Sequence, residues 1–355
     1  MNYDEQLQAL LQANTEGNTT IKYVPGKNES GWLSDDTRNE LTNMFAHNPM
    51  FQNMDKHDVK PKATPSIQDF RDGMGSKNKN VAKHELIIDN EVLNGSLITR
   101  TYVRSDLQDK VLPALIYVHG GAFYGGSALA VDNVARALAD FGPYRVYNLE
   151  YPLAPEHPYP SALLSCYNLL KYLTTHAKEL RIDPNKIYMS GDSAGGNLTL
   201  ATAILDHIIF RTKYLTRTVL YYPDVTMVKE EKEELCNPDK FEAKEMEDQI
   251  KSFIKFFSTD DLAERMYANQ HDLHNPLLSP LNAKYYEELP ATEVIVGEFD
   301  PLRFQGQALV DKLNKNGVES HFVLYNGMSH AFLDSIGYYP QAEDSIKEAV
   351  KFLNK

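Results

Sequence analysis

From about residue 84 onward, short apolar runs alternate with segments of helical period, and this alternation restricts the fold more than any other feature of the chain. Ala114-Leu115-Ile116-Tyr117-Val118 is apolar throughout and stops abruptly at His119-Gly120-Gly121. An unbroken apolar run of strand length suits a strand covered on both faces, as in a parallel sheet. Further runs stand at Arg145–Leu149, Lys186–Met189, Thr218–Tyr222, Glu293–Val296 and Ser320–Tyr325. Glu85–Asp89 and Ser96–Arg104 alternate apolar and polar residues, as half-buried strands do. Helical patterns lie between them at Val131–Ala139, Ala162–Thr174, Gly195–Ile209, Gln305–Asn316 and Gln341–Leu353. Strand and helix in turn at this spacing predict an α/β fold with a mostly parallel central sheet flanked by helices.

Two regions break the rhythm. Residues 1–80 are polar and hold two helical candidates, Tyr3–Ala13 and a segment that starts after the capping residues Ser34-Asp35-Asp36. Residues 225–285 hold no good strand. They carry an acidic stretch, Lys229–Gln249, which reads as a solvated helix face, and an aromatic helical candidate with Phe253, Phe256 and Phe257. The interval looks like an insertion between two strands. Together with the N-terminal helices it could form a lid.

The chemistry concentrates at the ends of the apolar runs. Gly191-Asp192-Ser193-Ala194-Gly195 joins a strand to a helix. A serine hydroxyl is a poor nucleophile unless it is exposed, oriented and next to a base. A tight strand-to-helix elbow exposes it, and the crowding of that turn demands small residues two positions to either side. The helix N-terminus also aims N–H groups at the place where negative charge develops. Upstream, His119-Gly120-Gly121-Ala122-Phe123 offers backbone donors for an oxyanion; His119 itself reads as a loop organiser. Downstream, Gly297-Glu298-Phe299-Asp300 ends one strand and Ser329-His330 follows the next. Nucleophile, acid and base in that chain order give Ser193, Asp300 and His330, with Glu298 as a substitute acid. His321 lies inside a strand and His271 and His274 lie in the insertion, so His330 is preferred as the base.

Composition excludes other classes. A net charge of −13 opposes nucleic-acid binding and disfavours anionic membrane surfaces. Two cysteines, Cys166 and Cys236, far apart in sequence, give no disulfide framework. The first residues carry acids and no apolar stretch of signal-peptide length, and no run suits a membrane span; a cytoplasmic protein is expected. The Asn-x-Ser/Thr triplets at Asn18, Asn28, Asn94 and Asn197 then carry no weight. His271-x-x-His274 lacks a carboxylate or cysteine partner pattern, and no phosphate or dinucleotide fingerprint occurs, so neither metal nor cofactor is expected.

Taken in order, the motifs resemble those of the hormone-sensitive-lipase-like group of α/β-hydrolases, mostly bacterial carboxylesterases. They are His119–Phe123, Glu150-Tyr151-Pro152-Leu153-Ala154-Pro155-Glu156-His157-Pro158-Tyr159-Pro160-Ser161-Ala162, Gly191–Gly196, Ser279-Pro280, Asp300-Pro301-Leu302-Arg303 and Ser329–Phe332. The likeness covers roughly residues 80–355, and the long proline-rich segment is its most specific part. It implies an α/β-hydrolase core over 81–224 and 286–355, with a helical cap from 1–80 and 225–285. It also implies Ser193 as nucleophile, His330 as base and Asp300 as acid, with an oxyanion hole from Gly120, Gly121 or Ala122 and the N–H of Ala194. A short-chain carboxylesterase with a small-molecule ester substrate is the expected activity. The bulky Phe123 and Tyr124 beside the oxyanion loop suggest a short acyl pocket. Two positions depart from the group: Ala122 stands where a third glycine is usual, and Pro152 where arginine is usual. Rival readings are a triad hydrolase acting on amides, lactones or acetylated small molecules, a non-catalytic ligand-binding module on the same fold, and a scaffold that uses the acidic insertion. A homodimer through an edge strand or the last helices stays open.

Overall fold

The computed structural model describes residues 1–47, 66–72 and 74–355. Among them ten strands form one sheet: β1 (Asn14–Glu16), β2 (Thr19–Lys22), β3 (Leu86–Leu93), β4 (Leu97–Arg104), β5 (Leu112–Val118), β6 (Arg145–Glu150), β7 (Ile182–Asp192), β8 (Leu215–Tyr221), β9 (Ala291–Gly297) and β10 (Ser320–Tyr325). The spatial order is β1-β2-β10-β9-β8-β7-β5-β6-β4-β3. From β2 to β6 every neighbouring pair is parallel, and antiparallel strands close both edges. The run Ala114–Val118 is fully buried at the centre of the sheet, which explains why it carries no polar residue. Every residue of the helix Ala194–Ile204 is buried as well, because it packs directly on the sheet below the serine elbow.

The predicted strands and helices appear with ends shifted by a few residues. The N-terminal segment, expected to hold two helices joined by loop, also contributes two strands. Its first helix ends at Leu10, and β1 and β2 then extend the sheet, β2 running parallel to β10. Strands of three and four residues are too short for a period-two pattern to emerge. The Gly17-Asn18 pair between threonine-rich flanks was their sequence signal, a two-residue hairpin turn. Ser34 does cap the second helix, Asp35–His47, its Oγ accepting the Thr37 N–H at 3.1 Å.

Lys22 anchors the added strands. Its Nζ is buried and contacts Asp344 at 2.9 Å, Glu348 at 2.9 Å and the Leu10 carbonyl at 2.8 Å. Asp344 is also buried and accepts the Tyr325 hydroxyl at 2.7 Å. Lys22→Met would leave that carboxylate without its cation, and breaking one side of a buried pair costs about 3–5 kcal/mol. Urea unfolding at pH 7 should register a loss of that order, and less at low pH, where Asp344 takes up a proton. A loss below about 1 kcal/mol would mean that the pair is no anchor.

A second, smaller core joins the two irregular regions. Leu33 and Leu41 from the N-terminal segment pack with Phe241, Ile250 and Ile254 of the insertion and with Phe299 beside the β9 end. No helix among the described residues is long and apolar enough to cross a membrane.

Candidate active site

Loops at the carboxyl ends of the parallel strands β5, β7, β9 and β10 meet at Ser193, the position where open α/β sheets hold their ligands. β7 runs into Ser193, whose backbone adopts φ 51° and ψ −115°. A non-glycine residue at such torsions costs about 1–3 kcal/mol and persists only where its surroundings enforce it. Here they do. The Ser193 N–H donates to the Tyr221 carbonyl at 2.9 Å, and the Ser193 carbonyl accepts from Asn197 at 3.1 Å. Side chains at Gly191 or Gly195 would come within 2.4 Å of the Gly195 carbonyl or 2.0 Å of the Val118 carbonyl, so the close approach demands glycine at both.

Asp300 and His330 follow β9 and β10. Nε2 of His330 lies 3.1 Å from the Ser193 Oγ, and its Nδ1 lies 2.9 and 3.0 Å from the two Asp300 oxygens. Asp300 is fully buried and held in turn by the Leu302 N–H at 2.8 Å. Burial works against the charged form of His330, but the Asp300 carboxylate, together with Asp334 and Asp192, outweighs it and holds the imidazole above its ordinary value. Tyr222 and Phe257 set their rings beside it, at centroid distances of 4.8 and 5.3 Å. Glu298 points away from the imidazole: its oxygens accept the Gly31 and Gly327 N–H groups at 2.8 and 2.9 Å. Asp300, not Glu298, reaches the histidine.

The glycine-rich loop after β5 lies across from the elbow. Its Gly120 N–H is already engaged, hydrogen-bonded to the buried Asp192 carboxylate, which also accepts the Tyr117 hydroxyl at 2.7 Å. Burial pushes the Asp192 carboxyl up to about 6, against these hydrogen bonds. Asp192 thus competes with an oxyanion for the Gly120 N–H. Among the described residues, the N–H groups of Gly121, Ala122 and Ala194 have no protein acceptor. Ala122 takes φ 50°, so its methyl tolerates the torsion a third glycine would supply. His119 stacks on Tyr151 at 4.2 Å, and burial lowers its pKa to about 4; it organises the loop and stays away from the serine.

Phe123 and Tyr124 are both buried, the first stacked on Tyr267 at 4.2 Å and the second set edge-on to Phe70. Neither presents an open face in this conformation. The loop that carries Pro152 is held by a guanidinium from elsewhere in the chain: Arg71 donates to the Tyr124 and Ala154 carbonyls at 2.6 and 2.9 Å and pairs with Glu156. Sequence inspection could not find it, because Arg71 lies in the segment without motifs. His271 and His274 belong to no metal-binding group; among the described residues no three His, Cys, Asp or Glu side chains are placed to hold an ion. Glu40, equally invisible in sequence, accepts the hydroxyl of Ser329 at 3.2 Å, beside the histidine.

Comparison with known proteins agrees with this geometry. Residues 115–334 match the profile of the alpha/beta hydrolase fold family. An arylesterase of Saccharolobus solfataricus is 34% identical over 225 residues, 62% of this chain and 68% of its own. A carboxylesterase of Mycobacterium tuberculosis is 29% identical over 248 residues, 69% of this chain and 74% of its own. Among solved structures, an arylesterase superposes with a TM-score of 0.70 at 29% identity, covering 91% of this chain and 99% of that one. The hyperthermophilic esterase of Pyrobaculum calidifontis superposes with a TM-score of 0.67 at 26% identity, over 91% and 98%.

Proposed function

The chain belongs to the alpha/beta hydrolase fold family, within its hormone-sensitive-lipase-like carboxylesterase group, and on that premise we propose that it hydrolyses short-chain carboxylic esters through an acyl-enzyme on Ser193. What supports this reading above all is the unbroken hydrogen-bonded chain Ser193–His330–Asp300. His330 Nε2 takes the Ser193 proton as Oγ attacks the ester carbonyl. Asp300 fixes the imidazole tautomer with the proton on Nδ1 and stabilises the imidazolium. The free N–H groups of Gly121, Ala122 and Ala194 are the candidates to hold the oxyanion, each worth roughly 3–4 kcal/mol where such donors have been removed. His330 then protonates the leaving alcohol, and water releases the acid by the same steps.

In the same reading, the described part of residues 1–80 that follows β2 joins residues 225–285 in a cap over the core at 81–224 and 286–355. Their shared apolar cluster and the Phe257 ring beside His330 support it. A short acyl preference rests on the bulk of Phe123 and Tyr124 close to the glycine-rich loop.

A fluorophosphonate probe tests the mechanism directly. One phosphonyl group per chain should appear on the peptide that contains Ser193, and nitrophenyl acetate and butyrate should turn over faster than the decanoate. An adduct elsewhere, or none, would remove the acyl-enzyme; a rate rising with chain length would remove the short pocket.

A further inference from the structure

Glu298 lies two residues before Asp300, yet its carboxylate serves a different junction. It is 3% exposed and divides its oxygens between two loops. Oε1 accepts the N–H of Gly31, in the N-terminal segment, and Oε2 accepts the N–H of Gly327, three residues before His330. A buried carboxylate with each oxygen on a backbone N–H holds the two chains at one separation, and charge-assisted bonds of this kind are about twice as strong as neutral ones. Gly327 takes φ 78°, and a side chain there would meet the Ser34 N–H at 2.7 Å and the Trp32 carbonyl at 2.8 Å, so the N-terminal strap presses directly on this turn.

Other bonds converge on the same junction. The Ser34 N–H donates to the Gly327 carbonyl at 3.1 Å, Asn326 Nδ2 donates to Ser30 Oγ at 2.9 Å, and Ser329 donates to Glu40. On its outer side the strap is tied to the insertion: the Lys244 N–H donates to the Gly31 carbonyl at 2.8 Å, and Glu245 accepts from the Leu33 N–H and from Arg38. Glu298 thus sits where the acid loop, the histidine loop and the strap over residues 29–40 meet.

We propose that Glu298 is a positioning residue: its carboxylate locks the N-terminal strap onto the histidine loop, and through that lock the strap sets the place of the His330 imidazole against Ser193. The inference rests on His330 being the catalytic base. A displacement of about 1 Å between reacting groups costs on the order of 10²-fold in rate. Glu298→Ala is therefore expected to lower kcat by roughly 10- to 100-fold per folded molecule, with KM changed less than about threefold. The acid limb of its pH profile should move to lower pH as the contact between His330 and Asp300 loosens. Glu298→Gln keeps one acceptor but sets an NH2 against the second N–H, and should fall between the two. Asn326→Ala, which removes only the link to Ser30, provides a milder variant that should shift kcat in the same direction if Glu298→Ala fails to fold.

A purely structural Glu298 would behave differently. If Tm falls while kcat per folded molecule and the pH profile stay as in the wild type, the positioning role is wrong. Phosphonate labelling of wild-type Ser193 separates the two levels. Labelled Ser193 with an unchanged variant overturns only the role of Glu298, whereas unlabelled Ser193 overturns the reading on which it rests.

Discussion

Replacing Ser193 by alanine is expected to lower kcat for a small nitrophenyl ester by roughly 10⁵- to 10⁶-fold, with no change of fold. Only the hydroxyl is lost, and among the described residues its one side-chain partner is His330 Nε2. The elbow itself is held by main-chain bonds, from the Ser193 N–H to the Tyr221 carbonyl and from the Asn197 N–H to the Ser193 carbonyl, which alanine keeps. Stability should therefore move by no more than about 0.5 kcal/mol, in the range of substitutions that leave packing intact. The residual rate over water, about 10³- to 10⁴-fold in triad enzymes stripped of a member, would come from the oxyanion donors and substrate binding. Measuring kcat with circular dichroism on the same samples decides the matter: a folded Ser193→Ala protein with wild-type turnover is incompatible with a serine nucleophile. A wild-type protein that binds esters without turning them over would instead favour a ligand-binding module on this fold.

The residues proposed to react were legible in the sequence because each closes an apolar strand. Ser193, Asp300 and His330 all stand just beyond a run that only a buried strand would carry, and each sits in a local pattern with a physical reason. What depends on residues distant in the chain was not legible. The Gly120 N–H looked as free as its neighbours until the sheet brought Asp192 against it. Pro152 removes a charge from its loop, and the guanidinium that holds the loop comes from Arg71, in a polar segment without periodicity. The strands Asn14–Glu16 and Thr19–Lys22 are stabilised by pairing with the last parallel strand and by the buried Lys22, not by any alternation of their own. Glu298 shows both sides of this. Its position suggested an acid for the histidine, and only the meeting of three loops turned its carboxylate toward Gly31 and Gly327.

Asp300→Asn probes the remaining member of the chain and predicts two effects of opposite character. Asparagine keeps the shape but places an N–H or a neutral carbonyl where both carboxylate oxygens now face Nδ1. With the amide donating, Nδ1 becomes the acceptor and the proton moves to Nε2, the atom that must receive it from Ser193. Loss of the correct tautomer costs about 10⁴-fold in kcat in a serine protease where this exchange has been made, and a similar loss is expected here. The second effect is on pH. His330 must be neutral to act as base, and Asp300, with Asp334 and Asp192, holds its pKa above 6.5, so wild-type kcat/KM should be complete at alkaline pH and half lost at a pH above 6.5. In Asp300→Asn the burial that opposes the imidazolium is offset only by Asp334 and Asp192, so the same limb should move below its wild-type position. A variant with a lowered ceiling and an unmoved limb would mean that another group titrates. A wild-type limb well below pH 6.5 would mean that burial outweighs the carboxylates around the imidazole.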